Sequence, residues 1–282
     1  MKAVLTIAGS DSSGGAGIQA DLKTIIAHQL FGESVITALT AQNTMGVTGV
    51  LDVDPAFVGQ QIDAVFEDIR PDAVKVGMVS SPEIVAAIAE GLVRHRAENI
   101  VVDPVMVATS GSALIADAAV NALVERLFPL ASVITPNIPE AEVLAGMGIT
   151  APDDVARAAD LIAERCKAAG EGGAGSGDFG IPAIMIKGGH GVGDPDAADD
   201  YLRLAHGERV WLRGPRIANE NTHGTGCSLS SAIACRLAQG FAVDVAVREA
   251  KAYVAGALAA GLNLGRGSGP LNHMWQYGPV PC

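Results

Sequence analysis

Short apolar segments that lack any alternation with polar residues place the strongest constraint on how this chain folds. They cover residues 3–8, 34–40, 73–76, 100–102, 132–135 and 183–187. Near-continuous apolar runs of this length are typical of strands buried on both faces, as in a mostly parallel sheet. The pattern therefore predicts a central sheet covered by helices, with residues 208–213 as an additional edge strand.

Helix starts lie between these segments. Asp54-Pro55 predicts a helix over residues 55–69, because aspartate is a good N-cap and proline is favoured at the first helical position. Ser81-Pro82-Glu83 opens a second helix in the same way, and residues 152–154 open a third that ends near residue 170. Two more helices are predicted over residues 229–239 and 243–262. Alternation of strands and helices predicts a three-layer α/β fold.

The domain organisation is predicted to be simple. The chain has 282 residues, of which 49% are apolar, and shows neither an internal repeat nor a boundary, so we expect one domain over residues 1–282. Residues 171–180 form a glycine-rich stretch between a predicted helix and a predicted strand. Its composition predicts a flexible surface insertion rather than a functional lid.

Charge and hydropathy exclude several classes of function. The formal net charge is −12, which argues against bulk attraction to nucleic acid or to an anionic membrane. No uncharged apolar run reaches the roughly 18 residues that a membrane span needs. The first residues lack the pattern of a signal peptide, and the four cysteines show neither zinc-site nor disulfide spacing. We therefore expect a cytoplasmic protein.

A glycine-rich loop follows the first predicted strand, at the sheet edge where open α/β folds bind ligands. It runs from Gly9 to Gly17 and contains Asp11 and Ala16, with Asp21 on the helix that follows. Glycine replaces the lysine of a P-loop at position 15, and the G-x-G-x-x-G dinucleotide pattern is also missing. The loop is interpreted as a small-residue wall beside a pocket, the alternative being a plain strand-to-helix turn.

The next two strand ends carry groups suited to a flat ring. Gln42 follows the second strand, and its amide could pair with a heterocycle that has a donor beside an acceptor. Met78 follows the third strand and could pack on a ring face. Taken alone, Gln42 fits a polar loop equally well, and Met78 fits core filling.

The following strand ends carry oxygen ligands and a cation. Asp103, Asn137 and Glu140 suit Mg²⁺ held partly through water, although Asp103 and Asn137 could serve only as structural caps. Lys187 precedes two glycines and could reach a phosphate. His190 and His223 lie too far apart and have too few companions to predict a metal site.

Residues 221–227 read Asn-Thr-His-Gly-Thr-Gly-Cys and precede a helical stretch. Gly224, Thr225 and Gly226 permit a tight turn whose N–H groups, together with the helix N-terminus, can hold an anion. Cys227 would sit in this positive environment, so we expect the pKa of its thiol to fall below its ordinary value. The alternative is a buried cysteine that packs as a small apolar residue.

The ordered set of these segments resembles the hydroxymethylpyrimidine/phosphomethylpyrimidine kinases of thiamine biosynthesis. The similar segments are residues 9–23, 41–44, 75–78, 103–106, 135–140, 187–190, 221–227 and 265–273. The resemblance extends from residue 2 to about residue 275. It implies a three-layer αβα ribokinase-like fold with a central, mostly parallel sheet, ATP as phosphoryl donor, Mg²⁺, and by analogy a homodimer.

The resemblance also implies roles for residues. A pyrimidine pocket would be lined by Gly9, Ala16, Asp21, Gln42, Met78, Val105 and Cys227. MgATP would be bound by Asp103, Asn137, Glu140, Lys187, the backbone of Gly224, Thr225 and Gly226, and Lys251. Asp103 and Glu140 would hold the magnesium through water, and Lys187 and Cys227 would act in catalysis. Local departures from the family are Ser228, where many relatives have threonine, and the long insertion at 171–180.

The expected reaction is transfer of the γ-phosphoryl group of ATP to a hydroxymethylpyrimidine and then to its monophosphate, which yields the diphosphate. Cys227 would accept the hydroxymethyl proton as a general base. Three alternatives stay open: a pyridoxal kinase, a non-catalytic pyrimidine-binding module, and an oxidoreductase that uses the first glycine-rich loop.

Overall fold

The computed structural model of the chain describes residues 1–106, 117–172, 180–188, 192 and 194–278. The strands are β1 (Ala3–Asp11), β2 (Phe31–Asn43), β3 (Gly46–Asp52), β4 (Ala73–Val76), β5 (Ile100–Val102), β6 (Val133–Ile134), β7 (Ala183–Ile186), β8 (Asp200–Arg203) and β9 (Arg209–Leu212). The helices are α1 (Gly17–Ala27), α2 (Pro55–Asp68), α3 (Pro82–Arg94), α4 (Asp117–Ala122), α5 (Ile138–Ala145), α6 (Pro152–Gly172), α7 (Thr225–Ala238) and α8 (Val243–Ala260).

All nine strands belong to one sheet, in the order β3-β2-β1-β4-β5-β6-β7-β8-β9. The six strands from β2 to β7 in this order run parallel, whereas β3, β8 and β9 are antiparallel to their neighbours. The carboxyl ends of the parallel strands therefore lie at a common edge of the sheet. This edge is where the chemistry-bearing segments of the sequence were expected to meet.

Helices cover both faces of the sheet and produce two apolar cores. Successive strand residues point to opposite faces, so Val4 packs in one core and Leu5 in the other. Helices α1, α7 and α8 pack on one face, and α2, α3, α5 and α6 pack on the other. The predicted three-layer αβα fold with a mostly parallel sheet is thus confirmed.

The differences from the sequence prediction concern edges and boundaries. Strand β3 was not predicted, because it is an exposed edge strand without a buried apolar run. Strand β8 was also missed, since its four residues include a charge at each end. Helix α7 begins at Thr225, four residues before the predicted start, and so includes Cys227 in its first turn.

The predicted insertion at residues 171–180 falls mostly outside the described residues. Residues 171 and 172 are the end of α6, and the described chain resumes at residue 180. In the described part of the chain, none of the helices combines the length and the apolar character that crossing a membrane requires.

Glu33 on β2 gives a testable dependence of stability on pH. Its Oε2 atom is buried and has no hydrogen-bond partner among the described residues. Burial, aided by the nearby Asp68 carboxylate, raises the pKa of Glu33 from its ordinary 4.5 to about 7. Between these values the folded state keeps a proton that the unfolded chain has released, so the free energy of unfolding falls as pH rises through this window.

Replacing Glu33 by glutamine should therefore raise the melting temperature at pH 8, where the native carboxylate is charged, and leave it nearly unchanged at pH 5. Scanning calorimetry of the two proteins at both pH values measures this difference. An equal change in melting temperature at pH 5 and pH 8 would show that charge burial at Glu33 is not the cause.

Candidate active site

A cavity of about 900 Å³, a volume that includes solvent at its open mouth, lies at the carboxyl edge of the sheet. Its walls come from the ends of β1 and β2, the start of β3, the segments that follow β1, β4, β5, β6 and β7, and the segment that leads into α7. It is lined by Gly9, Ser10, Asp11, Ala16, Gly17, Thr40, Gln42, Val47, Met78, Asp103, Val105, Asn137, Glu140, Lys187, Thr222, His223, Gly224, Thr225, Gly226 and Cys227. Most of the predicted site residues therefore meet in one place.

The N-terminus of α7 forms one wall of the cavity. The N-cap residue is Gly224, whose φ of 85° is in the left-handed region that favours glycine. A Cβ atom at this position would lie 2.0 Å from the carbonyl oxygen of Gly15, so the close approach of the two loops also requires glycine. The first N–H groups of a helix have no partner within the helix, and glycine offers no side chain to bond them. This wall is therefore suited to an anion.

Lys187 and Asp103 lie beside this helix start. The Lys187 Nζ donates to Asp103 Oδ1 over 2.7 Å and lies 3.9 Å from Glu140 Oε2. A Cβ atom on Gly226 would lie 3.3 Å from Asp103 Oδ2 and 3.4 Å from Lys187 Nζ, which shows how closely both groups approach α7. Burial alone would lower the pKa of Lys187, but the two carboxylates raise it above its ordinary value. The lysine is therefore a stable cation at neutral pH.

Asn137 and Glu140 form the capping box of α5. Asn137 Oδ1 accepts the Glu140 N–H over 2.9 Å, and Glu140 Oε2 accepts the Asn137 N–H over 2.8 Å. Burial raises the pKa of Glu140, and the Asp103 carboxylate raises it further against the opposing effect of Lys187. The capping alternative for Asn137 is thus confirmed, although Asn137 also contacts the cavity.

Small and apolar groups form another part of the cavity wall. Met78 packs on Gly9 so closely that a Cβ there would lie 2.9 Å from the Met78 Cε. Ala16, Val105 and the Gln42 amide complete this wall. The result is a slot with apolar sides and one amide, which suits a flat heterocycle.

Cys227 contradicts the expectation for its acidity. The residue is half-buried at the base of the cavity. Burial raises the pKa of the thiol to about 11; the Lys75 ammonium opposes this rise, whereas the Asp21 and Asp103 carboxylates add to it. The expected lowering was therefore wrong, because loss of water and two nearby negative charges outweigh the helix N-terminus.

Asp21 does not line the cavity. Its side chain is fully buried, and one oxygen accepts from Lys75 Nζ over 2.8 Å and from Thr6 Oγ1 over 2.5 Å. The other oxygen accepts from Ser231 Oγ over 2.7 Å. Both of its oxygens accept hydrogen bonds from the protein, so the predicted contact of Asp21 with a pyrimidine is replaced by an ion pair beneath the site.

Lys251 is also outside the cavity. Its Nζ donates to Asp200 Oδ2 and to the carbonyl oxygen of Ala198, both over 2.6 Å. These contacts hold α8 against the β8 region. They engage the Lys251 ammonium group, which was expected to lie near a nucleotide. His190 lies outside the described residues.

A hydrogen-bonded pair that sequence reasoning missed joins the end of β1 to the segment before α7. His223 Nε2 lies 2.8 Å from Asp11 Oδ2, and both side chains are buried. Asp11 also accepts the N–H groups of Ser13, Gly15 and Ala16. Burial opposes ionisation of Asp11, but the hydrogen bonds outweigh it and hold the pKa of this carboxyl far below its usual range. No local pattern reveals a pair that is 212 residues apart.

The donor set is compatible with magnesium that arrives with phosphate groups. Within the described residues, no group of three or more His, Cys, Asp or Glu side chains is placed to hold a metal by itself. Asp103 Oδ1 is already bonded to Lys187 and Thr135, while Asp103 Oδ2 is directed towards the helix start. Mg²⁺ commonly binds one or two carboxylates, water and substrate phosphates, so Asp103 and Glu140 fit this arrangement.

The class of protein that this fold and this cavity define is a small-molecule kinase, since a helix start suited to an anion and a half-buried lysine share the cavity with a slot for a flat ring. The chain belongs to the phosphomethylpyrimidine kinase family, whose model matches residues 11–272.

Curated relatives support this membership. The hydroxymethylpyrimidine/phosphomethylpyrimidine kinase of Rhizobium meliloti is 49% identical over 97% of this chain and 97% of its own length. The thiamine biosynthesis bifunctional protein ThiED of Geobacter sulfurreducens is 48% identical over 96% of this chain. The chain spans 52% of the length of that longer protein.

Solved structures of two kinds of kinase resemble the chain. The phosphomethylpyrimidine kinase of Clostridium difficile is 44% identical, with a TM-score of 0.74 over 90% of this chain and 98% of its own. The pyridoxal kinase of Bacillus subtilis, solved as an ADP complex, is 32% identical, with a TM-score of 0.85 over 99% and 100% of the two chains. Overlap of the fold does not separate the two activities, whereas sequence identity favours the pyrimidine kinases.

Proposed function

We propose that this protein transfers the γ-phosphoryl group of ATP to 4-amino-5-hydroxymethyl-2-methylpyrimidine and then to the resulting monophosphate, which produces the diphosphate used in thiamine biosynthesis. The observation that carries this proposal is that one cavity contains both a slot for a flat ring and a site suited to an anion. Met78 and Gln42 line the slot, and Lys187 lies beside the start of α7.

The pyrimidine is proposed to lie between Gly9, Met78, Ala16 and Val105, with its edge against Gln42. Packing of a thioether on an aromatic ring is favourable, and the small residues leave room for a flat molecule. An amide pairs well with a ring nitrogen that accepts next to an amino group that donates. This orientation directs the hydroxymethyl group towards Cys227.

ATP is proposed to place its transferring phosphoryl group between Lys187 and the N–H groups of α7. These groups are fixed before the reaction, so they stabilise charge that is spread over the equatorial oxygens without reorganising. The ion pairs of Lys187 with Asp103 and Glu140 hold the ammonium group in position. Asn137 is proposed to contact the nucleotide from the start of α5.

Magnesium is proposed to be held by Asp103 and Glu140, largely through water. It would supply positive charge to the phosphate oxygens.

Cys227, as its thiolate, is proposed to accept the hydroxymethyl proton while the alcohol oxygen bonds to the γ-phosphorus and ADP leaves. A thiol whose pKa is about 11 is protonated at neutral pH, but its thiolate, once formed, is a stronger base than that of an ordinary cysteine. Lys75 beneath the site favours the thiolate. In the second phosphorylation the acceptor is already an anion, so Cys227 is less important there.

Pyridoxal is the rival acceptor, because a pyridoxal kinase shares the fold with a TM-score of 0.85. Steady-state release of ADP with the hydroxymethylpyrimidine and with pyridoxal separates the two. We expect kcat/KM to favour the pyrimidine by at least about 10²-fold, since a site built for an amino group leaves buried polar groups unpaired when that group is missing. A preference for pyridoxal would overturn the proposal.

A homodimer is also proposed. Strand β3 is an open edge, and its Leu51 side chain is 67% exposed, with Val50 and Met45 exposed nearby. Sedimentation equilibrium tests this, and a monomer at micromolar concentration would refute it.

Because the reaction consumes ATP, we propose that the enzyme acts in the cytoplasm, as one domain over residues 1–282.

A further inference from the structure

The hydrogen-bonded pair of Asp11 and His223 lies directly against the proposed ring-binding amide. His223 Nε2 lies 2.8 Å from Asp11 Oδ2 and 3.3 Å from the Nε2 atom of Gln42. The imidazole is held tightly, since a Cβ atom on Gly15 would lie only 2.3 Å from His223 Cδ2. One ring nitrogen is therefore shared between a carboxylate and an amide at the cavity wall.

The position of the proton on His223 follows from the state of Asp11. Asp11 accepts hydrogen bonds from Ser13 and Ala16 and is ionised at neutral pH, so its oxygen can only accept. A contact of 2.8 Å then requires a hydrogen on His223 Nε2. This nitrogen is a donor, and it cannot also accept from Gln42.

The amide of Gln42 must therefore present its oxygen to His223. The two ends of an amide exchange places by a half-turn, and only the orientation with Oε1 towards His223 avoids placing two donors face to face. The structure places Gln42 Oε1 3.0 Å from Thr40 Oγ1, and the half-turn brings Nε2 to this position. Thr40 donates its proton to the carbonyl oxygen of Ser10, so its oxygen can accept from Gln42 Nε2. The network is consistent in this orientation.

We propose that Asp11 and His223 form a positioning pair that fixes the orientation of the Gln42 amide and thereby selects rings with an amino donor beside an acceptor nitrogen. This inference rests on the proposed function. An amide held in one orientation offers its carbonyl and its N–H in one order along the ring edge. The hydroxymethyl group must point towards Cys227, so the ring cannot turn over to suit the reversed order.

The test is a double-mutant cycle with His223→Leu, Gln42→Leu and the double variant, assayed for kcat and KM with the aminopyrimidine alcohol and MgATP. His223→Leu should raise KM about tenfold and change kcat less, as expected for loss of one oriented hydrogen bond. In the Gln42→Leu background the same substitution should change KM by less than about twofold. With the analogue that lacks the 4-amino group, the effect of His223→Leu should nearly vanish.

His223→Gln and His223→Asn provide the matched control, with thermal melting as the check of folding. Glutamine can place an N–H near the position of Nε2, whereas asparagine is too short, so KM should stay within about threefold of the native value for Gln and rise about tenfold for Asn. If His223→Leu does not fold, the comparison of His223→Gln with His223→Asn tests the positioning role on its own. Additive effects in the cycle, or equal losses for Gln and Asn, would overturn the inference alone. A native enzyme inert towards the aminopyrimidine alcohol would overturn the proposed function, and the inference with it.

Discussion

Replacing Lys187 by methionine is expected to lower kcat for both phosphorylations by about 10²- to 10³-fold, the usual cost of removing one fixed group that stabilises transition-state charge. Methionine matches the aliphatic stem of the lysine side chain and lacks the ammonium group. The ammonium lies beside Asp103 and the first turn of α7, where the transferring phosphoryl group is proposed to lie. The loss should fall mainly on kcat, because the charge on the phosphoryl oxygens changes most during transfer.

Steady-state kinetics with saturating ATP measure this effect, and Lys167→Met is the matched control. Lys167 is exposed on α6 and pairs with Glu171, so the same change of charge occurs far from the cavity. The control should keep native kinetics. A Lys187→Met enzyme whose kcat stays within about threefold of the native value would remove this lysine from the reaction.

Replacing Cys227 by alanine is expected to lower kcat for the alcohol by about 10²-fold or more, and for the monophosphate by much less. The alcohol must lose a proton as it attacks phosphorus, whereas the phosphate acceptor is already deprotonated. Burial raises the pKa of Cys227 to about 11, so the fraction of thiolate grows with pH throughout the neutral and mildly alkaline range. The native rate with the alcohol should therefore rise between pH 7 and pH 9.

The pH profile separates a base from a packing residue. In Cys227→Ala the rise with pH should disappear for the alcohol, and the profile for the monophosphate should resemble that of the native enzyme. Cys235→Ala serves as the control, because that thiol is fully buried in the core. Near-native rates with the alcohol in Cys227→Ala would exclude the role of Cys227 as general base.

Much of the fold followed from simple physical patterns. The buried parallel strands contain near-continuous apolar runs, and β4 and β5 have the bounds that the sequence predicts. The exposed strand β3 has no such signal, since its pairing with β2 is provided by backbone groups rather than by burial. Edge strands of this kind are determined by tertiary context.

The site was predictable wherever its groups follow a strand end. Lys187, Asp103 and Gln42 were placed at the correct edge because the carboxyl ends of parallel strands converge. Asp21 was placed in the cavity by resemblance, but it is turned inwards by Lys75. Burial of a charged pair beneath the site depends on distances between helices and strands that no local pattern contains.

The acidity of Cys227 shows the same limit. A helix N-terminus is visible in the sequence and predicts a lower thiol pKa, whereas the loss of water at the base of the cavity is visible only in the fold. The pair Asp11–His223 likewise forms only when loops from opposite ends of the chain meet.

The two successive phosphorylations are tested most directly by phosphorus NMR of the product formed from the hydroxymethylpyrimidine, excess ATP and Mg²⁺. We expect a monophosphate resonance that appears first and is then replaced by the two coupled resonances of a diphosphate ester. A reaction that stops at the monophosphate, or that transfers no phosphate to the pyrimidine, would contradict this expectation.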